Sequence, residues 1–463
     1  MLLQNVLRIS MRRALRKHGT VLMFVLIVML TICWLMLDSM ISHDKQIKIS
    51  PRLQHHIVQN TNEIQIDTIE VDNGNVVPDV PKSHVHSDLH SIKVSKDHIE
   101  DFPNGEDRDP IARKRRLKIR EMTLHAWTNY KKFAWGHNEL RPLTKSGHNG
   151  VFGASELGAT IIDSLDTLYI MNLKQQYQEA RKWVAEHFTL QGKHVQMSVF
   201  ETNIRFVGGL ITMYAFTGDP MYKVKAKEVA DKLLPAFETA TGLPKSLVDI
   251  GTGISKNYGW SGGSILSEIG TLHLEFAYLS DITGDPIYRD RVLKINEFLR
   301  EIPKPNGLYP NYIDPYSGKW GQQHIGLGAF GDSFYEYLLK ALIQSNNTDT
   351  DARRMYDDAM DAVANNLIHT TSNGLVYVSD MKYGQAEDTM DHLACFSGGL
   401  FALSAATQTN ENSERFMQIG KDITNTCHES YIRTTTHIGP ERFRFNENFE
   451  AQAAPHDDKR YLL

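Results

Sequence analysis

Residues 199–209 place an acid, Glu201, among apolar residues, and Arg205 follows it one helical turn later. Because residues four apart are neighbours on the surface of a helix, we expect the carboxylate and the guanidinium on one face. Gly208 and Gly209 end the segment and let another backbone approach closely. Taken alone, the segment is explained by a buried ion pair that only fixes packing.

A second acid supports a chemical interpretation. Asp332 opens another apolar segment, residues 331–339, and is flanked by aromatic residues that could stack on a sugar ring. Two carboxyl groups that face one pocket are the minimum set for glycoside hydrolysis. An inverting hydrolase keeps one protonated and the other ionised, about 6.5–9.5 Å apart, so that a water fits between base and sugar. Burial raises the pKa of one group, and a cation such as Arg205 lowers that of another.

Four more acids stand in apolar surroundings. Glu268 and Glu275 are seven residues apart, so they are predicted on one face of a single helix. They are either pocket acids that bind sugar hydroxyls or polar contacts that buttress the helix. Asp163 and Asp166, three apart in an apolar segment, are predicted to be structural.

Composition and cysteines limit the class of protein. The 463 residues, 41% of them hydrophobic, can bury a large core, and the net charge of -5 argues against a nucleic-acid partner. Cys33 lies in an apolar N-terminal run, which leaves Cys395 and Cys427 as a candidate disulfide in an oxidising compartment. His392 and His428 stand beside these cysteines and are predicted to be packed, hydrogen-bonded histidines.

The N-terminal region has the pattern of a membrane anchor. Residues 21–37 form an uncharged run of 17, preceded by five basic residues and followed by Asp38. That length is at the short end of what spans a bilayer, and the charge asymmetry places the N-terminus in the cytosol. We predict a cytoplasmic tail at residues 1–20 and a transmembrane signal anchor at residues 21–37. A cleaved signal peptide is the alternative, although no small-residue cleavage site follows the run.

Residues 38–109 are predicted to form a lumenal stem. They carry seven histidines, many polar residues and a single aromatic side chain, Phe102, which is too little apolar surface for a core. The irregular spacing of the histidines favours a solvated stem over a metal site.

Helical hairpins are predicted beyond the stem. A helix begins at Asp109 and Pro110, an N-cap acid followed by proline at the first position. Apolar residues then keep near-helical spacing, at Leu117, Met122, Ala126, Tyr130 and Phe133. The Thr-Gly-Asp-Pro-x-Tyr sequence of residues 217–222 returns at residues 283–288, a shift of 66. Such a period indicates stacked helical pairs, which either form an open solenoid or close into a toroid.

Five motifs occur in the order of a known family, at residues 199–209, 267–276, 331–339, 391–399 and 426–431. From about residue 111 to residue 463 the chain resembles the class I α-1,2-mannosidases, glycoside hydrolase family 47. Its N-terminal part is most similar to the Golgi mannosidase I branch. The resemblance implies an all-α fold, an (α/α)7 barrel at residues 110–463. It also implies an enzyme that removes terminal α-1,2-linked mannose from high-mannose N-glycans with inversion.

The resemblance also assigns roles to the acids. It makes Glu201 the general acid, Asp332 a candidate base and Glu441 a third pocket acid. The residues expected to bind sugar hydroxyls are Arg205, Glu268 and Glu275. A bridge between Cys395 and Cys427 and a calcium ion as cofactor are implied in the same way.

In the family, an Arg-Pro-Glu motif with another catalytic carboxylate and a calcium-binding threonine follow the point where this sequence ends, at Leu463. The resemblance therefore implies a C-terminally truncated domain, for which we name no metal residue and expect little or no hydrolysis by this polypeptide alone. The alternative function is to bind mannose glycans without cleaving them. The implied location is the Golgi membrane, as a single-pass type II protein, or else the endoplasmic reticulum. Asn346 begins an Asn-x-Thr sequence and is a candidate glycosylation site.

Overall fold

The computed structural model describes residues 109–407, 410–446 and 448–454. The predicted tail, anchor and all but the last residue of the stem lie outside the described residues. Within the described ranges, no helix is both long enough and apolar enough to cross a membrane.

The first helix, α1 (Pro110–Ala134), begins as predicted. The side chain of Asp109 caps it by accepting a hydrogen bond from the backbone nitrogen of Ile111, at 2.8 Å. Its C-terminal half is packed through Trp127 and Tyr130. Three of the apolar residues whose spacing predicted the helix are nevertheless exposed, namely Leu117, Met122 and Ala126.

Five helical hairpins follow α1 within the described ranges. They are α3 (Leu165–Ile170) with α4 (Lys174–His187), α6 (Gly208–Thr217) with α7 (Pro220–Leu233), α9 (His273–Thr283) with α10 (Ile287–Glu301), α11 (Asp332–Gln344) with α12 (Thr350–Asn366), and α13 (Phe396–Thr407) with α14 (Ser413–Ile432). Three shorter helices precede members of the set, namely α2 (Ala159–Asp163), α5 (Val199–Thr202) and α8 (Leu266–Gly270). The first helix of each hairpin packs against the first helix of the next, so these helices form an inner row. The predicted helical pairs are confirmed.

The repeated Thr-Gly-Asp-Pro sequence forms the turn inside two hairpins. Gly218 and Gly284 end helices α6 and α9 in the left-handed region, at φ 67° and 73°, a conformation that glycine adopts without steric cost. The aspartate that follows each glycine accepts a hydrogen bond from the backbone nitrogen two residues later. The period of 66 residues is therefore the period of the hairpins.

The same turns join neighbouring hairpins. Asp219 accepts hydrogen bonds from Met221, at 3.0 Å, and from the Nε atom of Arg181 on α4, at 2.8 Å. The hydroxyls of Tyr177 and Tyr222 lie 3.1 Å apart beside this pair. One repeated sequence thus closes its own hairpin and binds the preceding outer helix.

Short antiparallel strands connect the hairpins, so the fold is mostly helical rather than entirely so. In the described ranges they form six small sheets. The strands are β1 (Glu139–Arg141), β2 (Ser146–His148), β3 (Gln196–Ser198), β4 (Leu247–Asp249), β5 (Ser255–Lys256), β6 (Ser264–Ile265), β7 (Tyr312–Ile313), β8 (His324–Ile325), β9 (Ile368–Thr370), β10 (Val376–Val378), β11 (Asp380–Lys382), β12 (Gln385–Glu387), β13 (Thr389–Asp391), β14 (Arg442–Asn446) and β15 (Phe449–Gln452). Strands β3 and β6 lead directly into α5 and α8, and they fix where those helices begin.

A disulfide joins Cys395 to Cys427, as predicted. Cys395 ends the single turn before α13, and Cys427 lies in α14, so the bridge fastens the last described hairpin internally. His392 is partly buried and its ring is hydrogen-bonded to Tyr431. His428 is exposed, so the prediction that it is packed is wrong.

Candidate active site

Glu201 lies in the first turn of α5, where strand β3 ends. The side chain of Ser198 caps the helix by accepting a hydrogen bond from the backbone nitrogen of Glu201, at 3.1 Å. The helix continues into α6 through a π-helical turn, Asn203–Val207, a feature that is frequent at functional sites. A Cβ atom at Gly209 would lie 3.1 Å from the carbonyl oxygen of Ile162, which confirms the close backbone approach.

Arg205 holds two carboxylates. Its Nε atom lies 2.7 Å from Oε2 of Glu201, which confirms the predicted pairing on one helix face. Its Nη1 atom lies 2.9 Å from Oδ2 of Asp163, at the end of α2. The three side chains are between 30% and 42% exposed, so the trio is open to a ligand rather than a buried ion pair. Burial raises the pKa of Asp163, and its bond to Arg205 opposes that rise.

Glu268 is placed by strand β6 in the first turn of α8. Its Oε2 atom is buried and makes no hydrogen bond within the described part of the chain. Burial raises the pKa of Glu268 to about 7, the Glu201 carboxylate adds to the rise, and the hydroxyls of Ser246 and Tyr258 oppose it. The group therefore exchanges a proton near neutral pH, beside the predicted general acid.

Glu275 does not share a helix with Glu268, which corrects the predicted common face. The helix is interrupted at residues 271–272, between α8 and α9, and Glu275 lies in the first turn of α9. Its carboxylate accepts hydrogen bonds from Asn203 Nδ2 at 2.9 Å and from the Tyr337 hydroxyl at 2.8 Å. Burial raises the pKa of this carboxyl group. The contacts favour the buttressing alternative, because Glu275 fastens the π-helical turn to α11.

Asp332 is the first residue of α11. Its Oδ1 atom accepts a hydrogen bond from the backbone nitrogen of Ser333, at 2.8 Å. Burial raises the pKa of Asp332 to about 6, and the carboxylates of Asp391 and Glu336 add to the rise. Like Glu201 and Glu268, it lies at the N-terminus of a helix that belongs to or leads into the inner row.

The aromatic residues next to Asp332 are not available to a sugar. Phe334 is 1% exposed and Tyr335 is fully buried, so both belong to the core, and the predicted stacking by this segment is wrong. Phe334, two positions along the helix, points away from Asp332, whereas Tyr335, three positions along, lies on the same side but is packed into the core. The accessible aromatic side chain near Asp332 is instead Phe330, which precedes it.

Glu441 lies beside strand β14 and meets the start of the last hairpin. Its carbonyl oxygen accepts a hydrogen bond from the backbone nitrogen of His392, at 2.7 Å. Burial lowers the pKa of His392, whereas the Asp391 and Glu441 carboxylates oppose that change. The charge of Asp391 also raises the pKa of Asp332. Asp332, Asp391 and Glu441 therefore form a second group of acids, separate from Glu201 and Glu268. Glu336, four residues after Asp332, is paired with Lys340.

No group of three or more His, Cys, Asp or Glu side chains in the described ranges is arranged to hold a metal ion. Calcium takes six to eight oxygen ligands, which backbone carbonyls and waters also supply, so the calcium ion implied by the resemblance stays a prediction.

Two features near the candidate acids were not predicted from the sequence. Asp163 was predicted to be structural, and its ion pair with Arg205 could not be predicted because the two residues are far apart in sequence. Trp260 was not singled out, although a tryptophan in the glycine-rich segment 259–263 is a sequence signal for an exposed aromatic loop.

Carboxyl groups in the first turns of neighbouring inner helices supply the residue type that glycoside hydrolysis needs. The family model described as glycosyl hydrolase family 47 matches residues 122–462, and the chain belongs to this family.

Named relatives agree with the family. The chain is 60% identical over 358 residues to the mannosyl-oligosaccharide alpha-1,2-mannosidase IA of Drosophila melanogaster, a match that covers 77% of this chain and 54% of that protein. It is 48% identical over 362 residues to the mannosyl-oligosaccharide 1,2-alpha-mannosidase IB of Mus musculus, covering 78% and 56%. The chain thus spans about half the length of the curated relatives it matches.

A solved structure shows the same fold. The alpha-1,2-mannosidase from Trichoderma reesei superposes with a TM-score of 0.64 at 25% sequence identity, over 72% of this chain and 71% of that one. The mostly helical architecture is therefore shared with an enzyme that is named as an alpha-1,2-mannosidase.

Proposed function

We propose that this protein hydrolyses terminal α-1,2-linked mannose from high-mannose N-glycans, with inversion at the anomeric carbon. The observation that carries the proposal is the set of carboxyl groups at the N-termini of neighbouring helices, of which Glu268 and Asp332 have pKa values raised to about 7 and about 6. The names of the relatives support the substrate class and linkage.

Glu201 supplies the proton in the proposed reaction. Arg205 binds Oε2 of Glu201, and within the described residues Oε1 makes no hydrogen bond, so that oxygen is free to face the glycosidic oxygen. Glu201 transfers a proton to that oxygen as the bond to the anomeric carbon breaks. Because its pairing with Arg205 favours the ionised form, the neighbouring Glu268, with a pKa of about 7, is the group that holds this proton beforehand. Arg205 orients the carboxyl group and stabilises the carboxylate that remains.

Asp332 acts as the base. It removes a proton from a water whose oxygen attacks the anomeric carbon from the opposite face, so the product sugar has the inverted configuration. With a pKa of about 6, Asp332 is ionised above that pH and still basic enough to accept a proton. Glu441 is proposed as a third pocket acid, and Arg205 and Glu268 as ligands of sugar hydroxyls. No step is assigned to calcium.

Mass spectrometry of a nine-mannose N-glycan incubated with the purified protein tests the reaction. The resemblance implied little or no hydrolysis by this polypeptide alone, but the acids present at the helix N-termini lead us to expect stepwise loss of hexose. The loss should be strongly reduced in Glu201→Gln and Asp332→Asn and unchanged in Glu186→Gln, whose side chain is 51% exposed on α4. Proton NMR of the first released mannose gives its anomeric configuration. A folded protein that releases no mannose but binds the glycan in calorimetry would instead support the binding function.

We also propose the membrane topology and the full fold on the strength of the resemblance. Residues 21–37 would anchor a type II protein in the Golgi membrane, residues 38–109 would form the stem, and the hairpins would belong to an (α/α)7 barrel. Asn346 lies in an exposed turn after α11, which suits a glycosylation site. Protease protection of microsomes and a mobility shift on glycosidase treatment, lost in Asn346→Gln, test these assignments.

A further inference from the structure

Three aromatic side chains form a strip at the surface next to the candidate acids. The rings of Tyr258 and Trp260 are stacked with centroids 5.4 Å apart and planes 13° from parallel. The ring of Trp260 lies 5.5 Å from that of Phe330. Trp260 is 57% exposed, which is unusual for the largest apolar side chain. We call Tyr258, Trp260 and Phe330 the aromatic strip.

The strip connects the two groups of acids. At one end, the Tyr258 hydroxyl is near enough to Glu268 and Glu201 for their charges to raise its pKa in addition to burial. At the other end, Phe330 directly precedes Gly331 and Asp332.

The backbone at Phe330 is held in a strained conformation. Its φ angle is 77°, in the left-handed region that an aromatic residue rarely adopts, at a cost of about 1–2 kcal/mol. The backbone nitrogen of Ser267 donates a hydrogen bond to the Phe330 carbonyl at 2.9 Å, which ties this conformation to helix α8. Strain of this kind persists where surrounding contacts fix it, and it is concentrated at ligand sites. Unlike Phe334 and Tyr335, the Phe330 ring meets the exposed Trp260.

The loop that carries Trp260 is fixed by its own hydrogen bonds. The hydroxyl of Ser261 lies 2.6 Å from the carbonyl oxygen of Gly263 and 3.1 Å from that of Tyr258. Strand β6 follows at once and leads into α8 and Glu268. The exposed indole is therefore positioned before any ligand arrives, which lowers the entropy lost on binding.

We propose that Trp260 is a sugar-binding platform that stacks on a mannose residue beyond the disaccharide that spans the cleaved bond. A pyranose presents a face of C–H groups that packs against an aromatic ring, and the hydroxyls at its rim remain in water. The acids are partly buried and Trp260 is at the surface. The stacked sugar therefore belongs to the part of the bound oligosaccharide that extends out of the pocket towards solvent. The proposal rests on the proposed function for its substrate class.

Kinetics on two substrates of different length test the platform. For Trp260→Ala we expect kcat/KM on the nine-mannose glycan to fall about fivefold to tenfold, mainly through KM. The disaccharide mannose-α-1,2-mannose, which is too short to reach the strip, should be hydrolysed with an unchanged rate. Trp260→Phe keeps an aromatic face and should restore most of the loss. Tyr316→Ala is the matched control, because Tyr316 is 58% exposed and lies outside the strip.

Binding separates this inference from the proposed reaction. Calorimetry of the nine-mannose glycan with the Asp332→Asn protein, with and without Trp260→Ala, measures the stacking without hydrolysis. Weaker binding by the double variant supports the platform even if the wild-type protein releases no mannose. Equal binding, or an equal loss of kcat/KM on both substrates, would overturn it.

Discussion

Arg205 reaches 42 residues back along the chain to bind Asp163, at 2.9 Å, with the guanidinium that also binds Glu201. A planar guanidinium serves two carboxylates at once, whereas the compact ammonium of lysine does not. Asp163 therefore helps to fix the guanidinium that orients the proposed general acid.

The first prediction concerns this arginine. Arg205→Lys should reduce kcat for α-1,2-mannoside hydrolysis about a hundredfold, because the general acid loses its alignment. The free energy of unfolding should change by only about 1 kcal/mol, since all three side chains are partly exposed. Urea denaturation and steady-state kinetics measure the two effects. A large loss of stability without a matching loss of kcat would mean that Arg205 is structural.

The second prediction is the pH dependence that Glu268 imposes on stability. Its pKa is raised from 4.5 to about 7 in the folded protein, so the folded state keeps a proton that the unfolded state releases. The stabilisation is fully present below pH 4.5 and is lost as the pH rises to about 7. Glu268→Gln should remove this slope and gain at most about 3 kcal/mol relative to wild type above pH 7.

Urea denaturation at a series of pH values between 4.5 and 8 tests the Glu268 prediction. The exposed Glu186→Gln substitution serves as the control and should leave the profile unchanged. Parallel profiles for wild type and Glu268→Gln would show that the carboxyl group titrates normally.

The third prediction concerns the glycine before Asp332. A Cβ atom at Gly331 would lie 2.2 Å from the Gly326 carbonyl oxygen and 2.9 Å from Oδ1 of Asn311, closer than atoms approach. Gly331→Ala should therefore lower the free energy of unfolding by about 2–3 kcal/mol and displace Asp332, with loss of kcat.

Gly399→Ala is the matched control for Gly331. Gly399 lies in α13 with no atom within 4 Å of an added Cβ, so alanine should stabilise the helix by about 0.5–1 kcal/mol. If both substitutions were neutral in thermal denaturation, the close contact at Gly331 would be refuted.

The fourth prediction concerns the disulfide. Cys395 and Cys427 are separated by 32 residues in sequence, so the bridge restricts a long loop of the unfolded chain. Its reduction should cost about 3–4 kcal/mol. Thermal denaturation should show a lower Tm in the presence of a reductant. The Cys395→Ser, Cys427→Ser double variant should have that lower Tm with or without the reductant, and a wild-type Tm indifferent to reduction would contradict the prediction.

The fifth prediction compares the two copies of the repeated turn. Asp219 caps α7 and also binds Arg181 at 2.8 Å, whereas Asp285 has a longer cap bond of 3.3 Å and lies 3.5 Å from Lys227. Asp219→Ala should cost about 2 kcal/mol and Asp285→Ala about 1 kcal/mol. Equal losses in urea denaturation would show that the short contact to Arg181 adds nothing beyond the longer contact to Lys227.

Local spacing predicted the features that depend on neighbours in sequence. The pairing of Glu201 with Arg205 follows from residues four apart on a helix, and the cap at Asp109 follows from residue type. The same reasoning failed where the helix is interrupted, because the spacing predicted one continuous helix from Glu268 to Glu275. It also failed at Phe334 and Tyr335, since an aromatic residue near an acid is as easily core as surface.

The sequence by itself determined the family, the helical hairpins, the cysteine pair and the acids that could do chemistry, because these are properties of residue type and period. Only the tertiary structure decided that Asp163 shares Arg205, that Oε2 of Glu268 is buried without a partner in the described ranges, and that Trp260 is exposed beside the acids. Burial and partners depend on which distant segments pack together. The pKa of a carboxyl group, and hence its role, is set by that packing.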